Sequence, residues 1–190
     1  MSTLKLPRNG QVCLEFSMDA TRIELKLTLD EVGMSPPTLT TFSERLNLQK
    51  RIYLVQILGY DLGYRFSWYL HGPYCTSLTQ EAFGLRDDLQ SGDKDADDFV
   101  LSEDAKKQID QARKLWTLPA GMESSHDDWL ELLASLHYLK EVAYWPPEQT
   151  KNFEAVFKRL IDSKPRFSGR QAEVEAAWER LGQFDLLTSD

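Results

Sequence analysis

Apolar positions recur along this chain in two rhythms. Before residue 34 they alternate: Val12, Leu14, Phe16 and Met18, then Ile23, Leu25, Leu27 and Leu29, with Glu24, Lys26 and Thr28 between them. A period of two sends one side to a core and the other to water. The pattern therefore predicts two short antiparallel strands joined around Asp19, Ala20 and Thr21. A two-stranded ribbon does not stand alone, so it must lie on helices, take a strand from residues 64–70, or pair with another molecule. That last option leaves a homo-oligomer open.

After Thr41 the rhythm lengthens. Leu46, Leu48, Ile52, Tyr53, Val55, Ile57 and Leu58 form a wide helical stripe that closes at Gly59. Turn residues Asp61 and Gly63 come next, and Tyr64, Phe66, Trp68 and Leu70 then alternate with Arg65, Ser67 and Tyr69, an extended and aromatic-rich connection. Pro73 fixes its own φ and pushes Gly72 out of the helical region, after which 77–83 is again helical in pattern. Further helices are predicted from Ser102 as cap through Trp116, from 124–126 through Val142 with Trp129, Leu130, Leu132, Leu133, Leu136 and Leu139 as its apolar face, over 148–163 and over 168–184. Lys164-Pro165-Arg166-Phe167-Ser168-Gly169 joins the last two, a linkage that suits a helix-turn-helix or an ordinary helical hairpin.

These patterns predict a mainly α fold class with a minor β part (α+β): a compact multi-helix domain over 36–190 carrying a small two-stranded β attachment over 1–35, with Gly33-Met34-Ser35-Pro36-Pro37 as the linker. The chain's 190 residues can bury the core of one domain with a small appendage.

Charge sharpens the picture in two places. The net charge of −8 argues against a general polyanion binder. Nine acidic residues between Glu81 and Asp104 face only Arg86 and Lys94, which predicts a solvated acidic loop from Leu85 onward. Asp93, Asp95, Asp97 and Asp104 have calcium-loop spacing, but Asp98 stands where such a loop needs glycine and Asp104 where it needs glutamate, so no metal is expected. Cys13 and Cys75 are too few for a disulfide scaffold or a cysteine-rich metal site. With no basic leader and no apolar run of about 18 residues, the expectation is a cytoplasmic protein without a membrane partner.

Catalytic candidates are few. His71, His126 and His137 are the only histidines. His137 sits among leucines and is expected to be structural, and a His71–Cys75 pair has no residue to orient it. No phosphate loop, HExxH run or pair of helically spaced carboxylates in an apolar setting is present. The expectation is no enzyme and no cofactor. Seven rings lie between Tyr53 and Tyr74, more than a modest core needs, and tyrosine and tryptophan dominate protein interfaces. The predicted protein-binding residues are Arg65, Trp68, Tyr69, His71 and Tyr74, with Gly72 and Pro73 as the structural corner between them. A nucleic-acid surface would rest on Lys164, Arg166 and Arg170. It is the less favoured alternative, because residues 151–181 net only +2.

The run Leu48-Gln49-Lys50 through Tyr53, Leu54 and Gln56, then Gly63-Tyr64-x-Phe66-x-Trp68-Tyr69 and Gly72-Pro73-Tyr74, resembles the YwgA-like proteins and, more distantly, the Panacea domain of SocA-type antitoxins and proteolytic adaptors. Cys75 stands where such proteins usually carry serine. The resemblance covers 42–83, returns faintly over 130–139 and 164–168, and implies a small helical domain with no enzymatic chemistry. Together these features lead us to expect a bacterial, defence-associated adaptor or antitoxin-like component of a toxin–antitoxin or phage-defence system, acting on a protein partner. A DNA-binding regulator, and an accessory subunit of a hydrolase or nuclease, are the alternatives.

Overall fold

In the computed structural model, which describes residues 4–5, 18–34 and 37–188, helices dominate. They are α1 (Ala20–Glu31), α2 (Phe42–Ile57), α3 (Thr76–Gln90), α4 (Glu103–Trp116), α5 (His126–His137), α6 (Phe153–Ser163) and α7 (Gln171–Gln183). The β part consists of two small antiparallel pairs. Strand β1 (Leu4–Lys5) pairs with β4 (Val100–Leu101), and β2 (Ser67–Tyr69) with β3 (Gly72–Tyr74). Mainly α with a minor β part is thus the architecture.

The predicted second strand is a helix. Ile23, Leu25, Leu27 and Leu29 all belong to α1, and the predicted first strand lies outside the described residues except for Met18. Both helix signals are present in the sequence. The Asp19 carboxylate caps the start by accepting from the Arg22 amide at 3.0 Å. Gly33, at φ 73°, closes the end, with Met34 N–H bonded to Leu29 O and Gly33 N–H to Asp30 O, the two bonds of a Schellman cap. Leu25, Thr28, Leu29 and Val32 form the buried i, i+3, i+4, i+7 stripe, and α1 enters the same core as α2 to α5.

The predicted acidic loop is also corrected. Helix α3 continues through Leu85 to Gln90, burying Leu78, Ala82 and Leu85 on one face. Its carboxylates meet a cation from α1: Arg22 donates to Glu81 at 2.8 Å and to Asp88 at 2.9 Å, with its guanidinium over Gly84. Beyond α3 the chain makes a 3-10 turn at Asp95–Asp98, where Asp95 accepts from the Met18 amide, and then enters β4.

Helix α2 begins with a reciprocal capping box between Thr41 and Glu44. Helix α5 lies at the centre, with Trp129, Leu130, Leu132, Leu133 and Leu136 shut off from solvent, and it runs on into a π-turn at Tyr138–Val142. Burial on every side marks a helix enclosed by its neighbours. Helices α6 and α7 are joined through a 3-10 turn at Pro165–Phe167, and Phe153 meets Trp178 edge to face. Phe167 is sealed into the core, so the linkage is a packed corner.

Candidate functional site

Helix α2 carries Phe42, Arg45, Leu46, Gln49 and Lys50 at helical spacing on one face, and the β2–β3 hairpin folds back over it. Together with Thr79 of α3 they enclose a cleft of about 150 Å³, whose hairpin side is Tyr69, His71, Gly72 and Tyr74. Two glutamines of α2 hold the incoming and outgoing chain by reading backbone peptides. Gln49 accepts from Cys75 N–H at 2.7 Å and donates to Cys75 O and to Thr79 Oγ1, both at 2.9 Å. Gln56 does the same to Tyr64, with distances of 3.0 and 2.9 Å. The hairpin's position is therefore set by side chain to backbone bonds as well as by packing.

Charged groups hold the hairpin from beneath. Glu131, in the centre of α5, has no solvent exposure and accepts from Lys164 Nζ at 2.7 Å and from Arg166 at 2.9 Å, while His71 Nδ1 lies 3.2 Å away. Lys164 also donates to Leu70 O at 2.8 Å and sits over the Trp68 ring. Burial pushes the Glu131 carboxyl up, but Lys164 and Arg166 prevail and hold it below the usual range. Lys50, only 2% exposed, donates to Pro73 O at 2.8 Å. Burial pushes its ammonium down to about 7, with Glu131 opposing the shift and Lys164 adding to it.

The five predicted protein-binding residues separate across this hairpin. Tyr69 is 59% exposed and leans on the half-buried Tyr74 ring, at 5.6 Å between centroids. Trp68 turns the other way, onto Tyr138 and the core. Outwardness thus belongs to Tyr69 and to Leu70, 71% exposed at the turn. His71 bridges the cleft to Glu131 and touches Phe42 edge to face. Arg65 is exposed and does not line the cleft. Of the other rings, Tyr53, Tyr60 and Tyr64 are core. Gly72 has φ 87° and packs against Ser135.

The sequence-based catalytic pair is not assembled: His71 engages Glu131, and buried Cys75 bonds Ser77 at 3.1 Å. His137 shares a 2.7 Å hydrogen bond with Tyr53, and burial holds its imidazole down at about 4. His126 lies 3.2 Å from the Arg51 guanidinium. No group of three His, Cys, Asp or Glu side chains among the described residues is placed to hold a metal ion. No helix among them is long and apolar enough to cross a membrane. The basic trio is engaged by acids: Lys164 with Glu131, Arg166 with Asp128 and Glu131, and Arg170 with Asp128 and Glu173.

Sequence reasoning passed over Phe42, Arg45, Leu46, Lys50 and Glu131. Two of them had a visible signal: Lys50 interrupts the apolar stripe of α2 between Leu46 and Tyr53, and Glu131 interrupts the most apolar helix between Leu130 and Leu132. Charged residues at core positions are almost never left without a role or a partner. No protein-family model matches this chain, and no curated protein or solved structure matches it.

Proposed function

We propose that this chain is a non-enzymatic, protein-binding adaptor or antitoxin-like component that captures a segment of a partner protein at the cleft between α2 and the β2–β3 hairpin. One observation carries the reading. Phe42, Tyr69 and Leu70 leave large apolar surfaces in water beside a cleft whose floor is a buried lysine. Exposed apolar surface grouped around a concavity marks interaction sites. The hairpin is tied to α2 and α5 by Gln49, Lys50 and Lys164, which favours a preorganised site over one that folds on binding.

The resemblance to YwgA-like and Panacea proteins supports the same class and suggests a cytoplasmic toxin–antitoxin or phage-defence setting. The regulator alternative draws no support from Lys164, Arg166 and Arg170, whose charges face Glu131, Asp128 and Glu173.

Selection of random peptides on the immobilised protein, displayed both internally and with free carboxyl termini, tests the proposal. Enriched peptides should bind the unaltered protein and lose at least tenfold in affinity to a Tyr69→Ser, Leu70→Ser variant. Absence of any enriched peptide, or equal binding by the variant, overturns it.

A further inference from the structure

Three cations lie around the hairpin, Lys50 and Lys164 buried and Arg166 exposed, and they differ in what answers them. Lys164 and Arg166 both meet Glu131. Lys50 forms no ion pair among the described residues and gives one of its three protons to a carbonyl, that of Pro73. It is drier than Lys164, and it lines the cleft. A buried ammonium without an anion is costly to keep. Its neighbours add to the demand for one. Arg45 bonds the Leu39 and Thr40 carbonyls through Nη1 alone, His71 stands across the cleft, and the lining holds no acidic residue.

The apolar part of the lining is Phe42, Leu46, Tyr69 and Tyr74. A cavity of about 150 Å³ has room for one branched aliphatic side chain and a carboxylate, and not for a folded element. An Asp or Glu side chain would bring the anion without the apolar group. A chain terminus brings both from a single residue, and the preceding residues would then run out over Tyr69 and Leu70.

Resting on the adaptor reading above, we infer that the cleft receives the C-terminal residue of a partner chain, its carboxylate on the Lys50 ammonium and its apolar side chain between Phe42, Leu46, Tyr69 and Tyr74. The charged groups acting on Lys50 are Glu131 on α5 and Lys164 beyond α6, and His71 on the hairpin and Arg45 on α2 itself share its cleft. Glu131 is already shared by Lys164, Arg166 and His71, so the ligand's carboxylate supplies the anion that Lys50 lacks. Binding also recharges Lys50, because an adjacent carboxylate favours the ammonium.

The test uses peptides recovered from the free-carboxyl library, synthesised as acids and as C-terminal amides, and titrated against the full chain. The acid should bind at least tenfold tighter than the amide at neutral pH. That preference should shrink as pH rises from about 7 to 9, and calorimetry in buffers of different ionisation enthalpy should show proton uptake near pH 8. In Lys50→Met the acid should bind no better than the amide. Equal binding of acid and amide by the unaltered protein overturns the inference, and that comparison needs no variant to fold. An acid preference that survives Lys50→Met also overturns it. So does 4-methylpentanoate binding as tightly as the peptide, which would make the occupant a small carboxylate. Equal acid and amide binding that is still lost in Tyr69→Ser, Leu70→Ser sinks the carboxylate alone and leaves the adaptor reading standing, whereas failure of every peptide to bind sinks both.

Discussion

The Ser135 hydroxyl is packed against the α-carbon of Gly72, so that a β-carbon at residue 72 would collide with it. Gly72 also holds φ 87°. Gly72→Ala should therefore cost about 1–3 kcal/mol in chemical unfolding, from backbone strain and overpacking together. Ser135 Oγ is buried with no hydrogen-bond partner among the described residues, so Ser135→Ala alone should be close to neutral or stabilising. In the Ser135→Ala background the Gly72→Ala cost should fall to the backbone part. Equal costs in both backgrounds would show that the contact is not the cause.

Glu131→Gln should destabilise by about 3 kcal/mol or more, since it leaves Lys164 buried beside a neutral group. The pH dependence is set by the direction of the shift. The Glu131 pKa is lower in the folded chain, so its contribution is present above the unfolded carboxyl value and is lost as pH falls through the folded one. Acid unfolding followed by circular dichroism should show a shallower slope for the variant below about pH 4.5, near the ordinary glutamate value.

Lys50 acts in the opposite pH range. Its folded value of about 7 lies below the ordinary lysine value of 10.5, so between the two the unfolded chain binds the proton and the native chain does not. Stability should rise with pH across that window. Lys50→Met should remove this slope and raise the melting temperature at pH 7 and below, where the native ammonium is charged and dry. A variant with the same slope as the unaltered chain would show that Lys50 is solvated.

Arg22→Met should cost about 1–3 kcal/mol, because Glu81 and Asp88 would lose the charged donor that joins them to α1. Urea unfolding reads this directly. A change within about 0.5 kcal/mol would place the fork among ordinary surface pairs.

These residues also show where the sequence was legible. Helices α2 and α4 to α7 were readable from long apolar stripes and from cap signals, Ser102 for α4 and a cap within 124–126 for α5, which the structure resolves to Ser125, because each stripe was wide enough to allow one period. Helix α1 misled because Ile23, Leu25, Leu27 and Leu29 fit a period of two, while the true face also uses Thr28, a polar residue, and Val32, which lies beyond the alternating run. The acidic end of α3 misled because its neutralising charge, Arg22, is more than fifty residues away in sequence. At the candidate site the corner Gly72-Pro73-Tyr74 was readable as a motif, and alternation placed Trp68 and Tyr69 on opposite faces without saying which face was outward; burial assigns that to Tyr69. Lys50 and Glu131 became functional candidates only when burial was known, since a single charge in an apolar stripe does not reveal whether it snorkels to water or stays dry.

Amide chemical-shift mapping of the isotope-labelled protein with a selected free-acid peptide tests the central claim most directly. The account predicts the largest perturbations at Phe42, Arg45, Lys50, Tyr69, Leu70 and His71, with little change along α7. Perturbations centred on the α6–α7 corner around Arg166 and Arg170, with the hairpin unmoved, would contradict it.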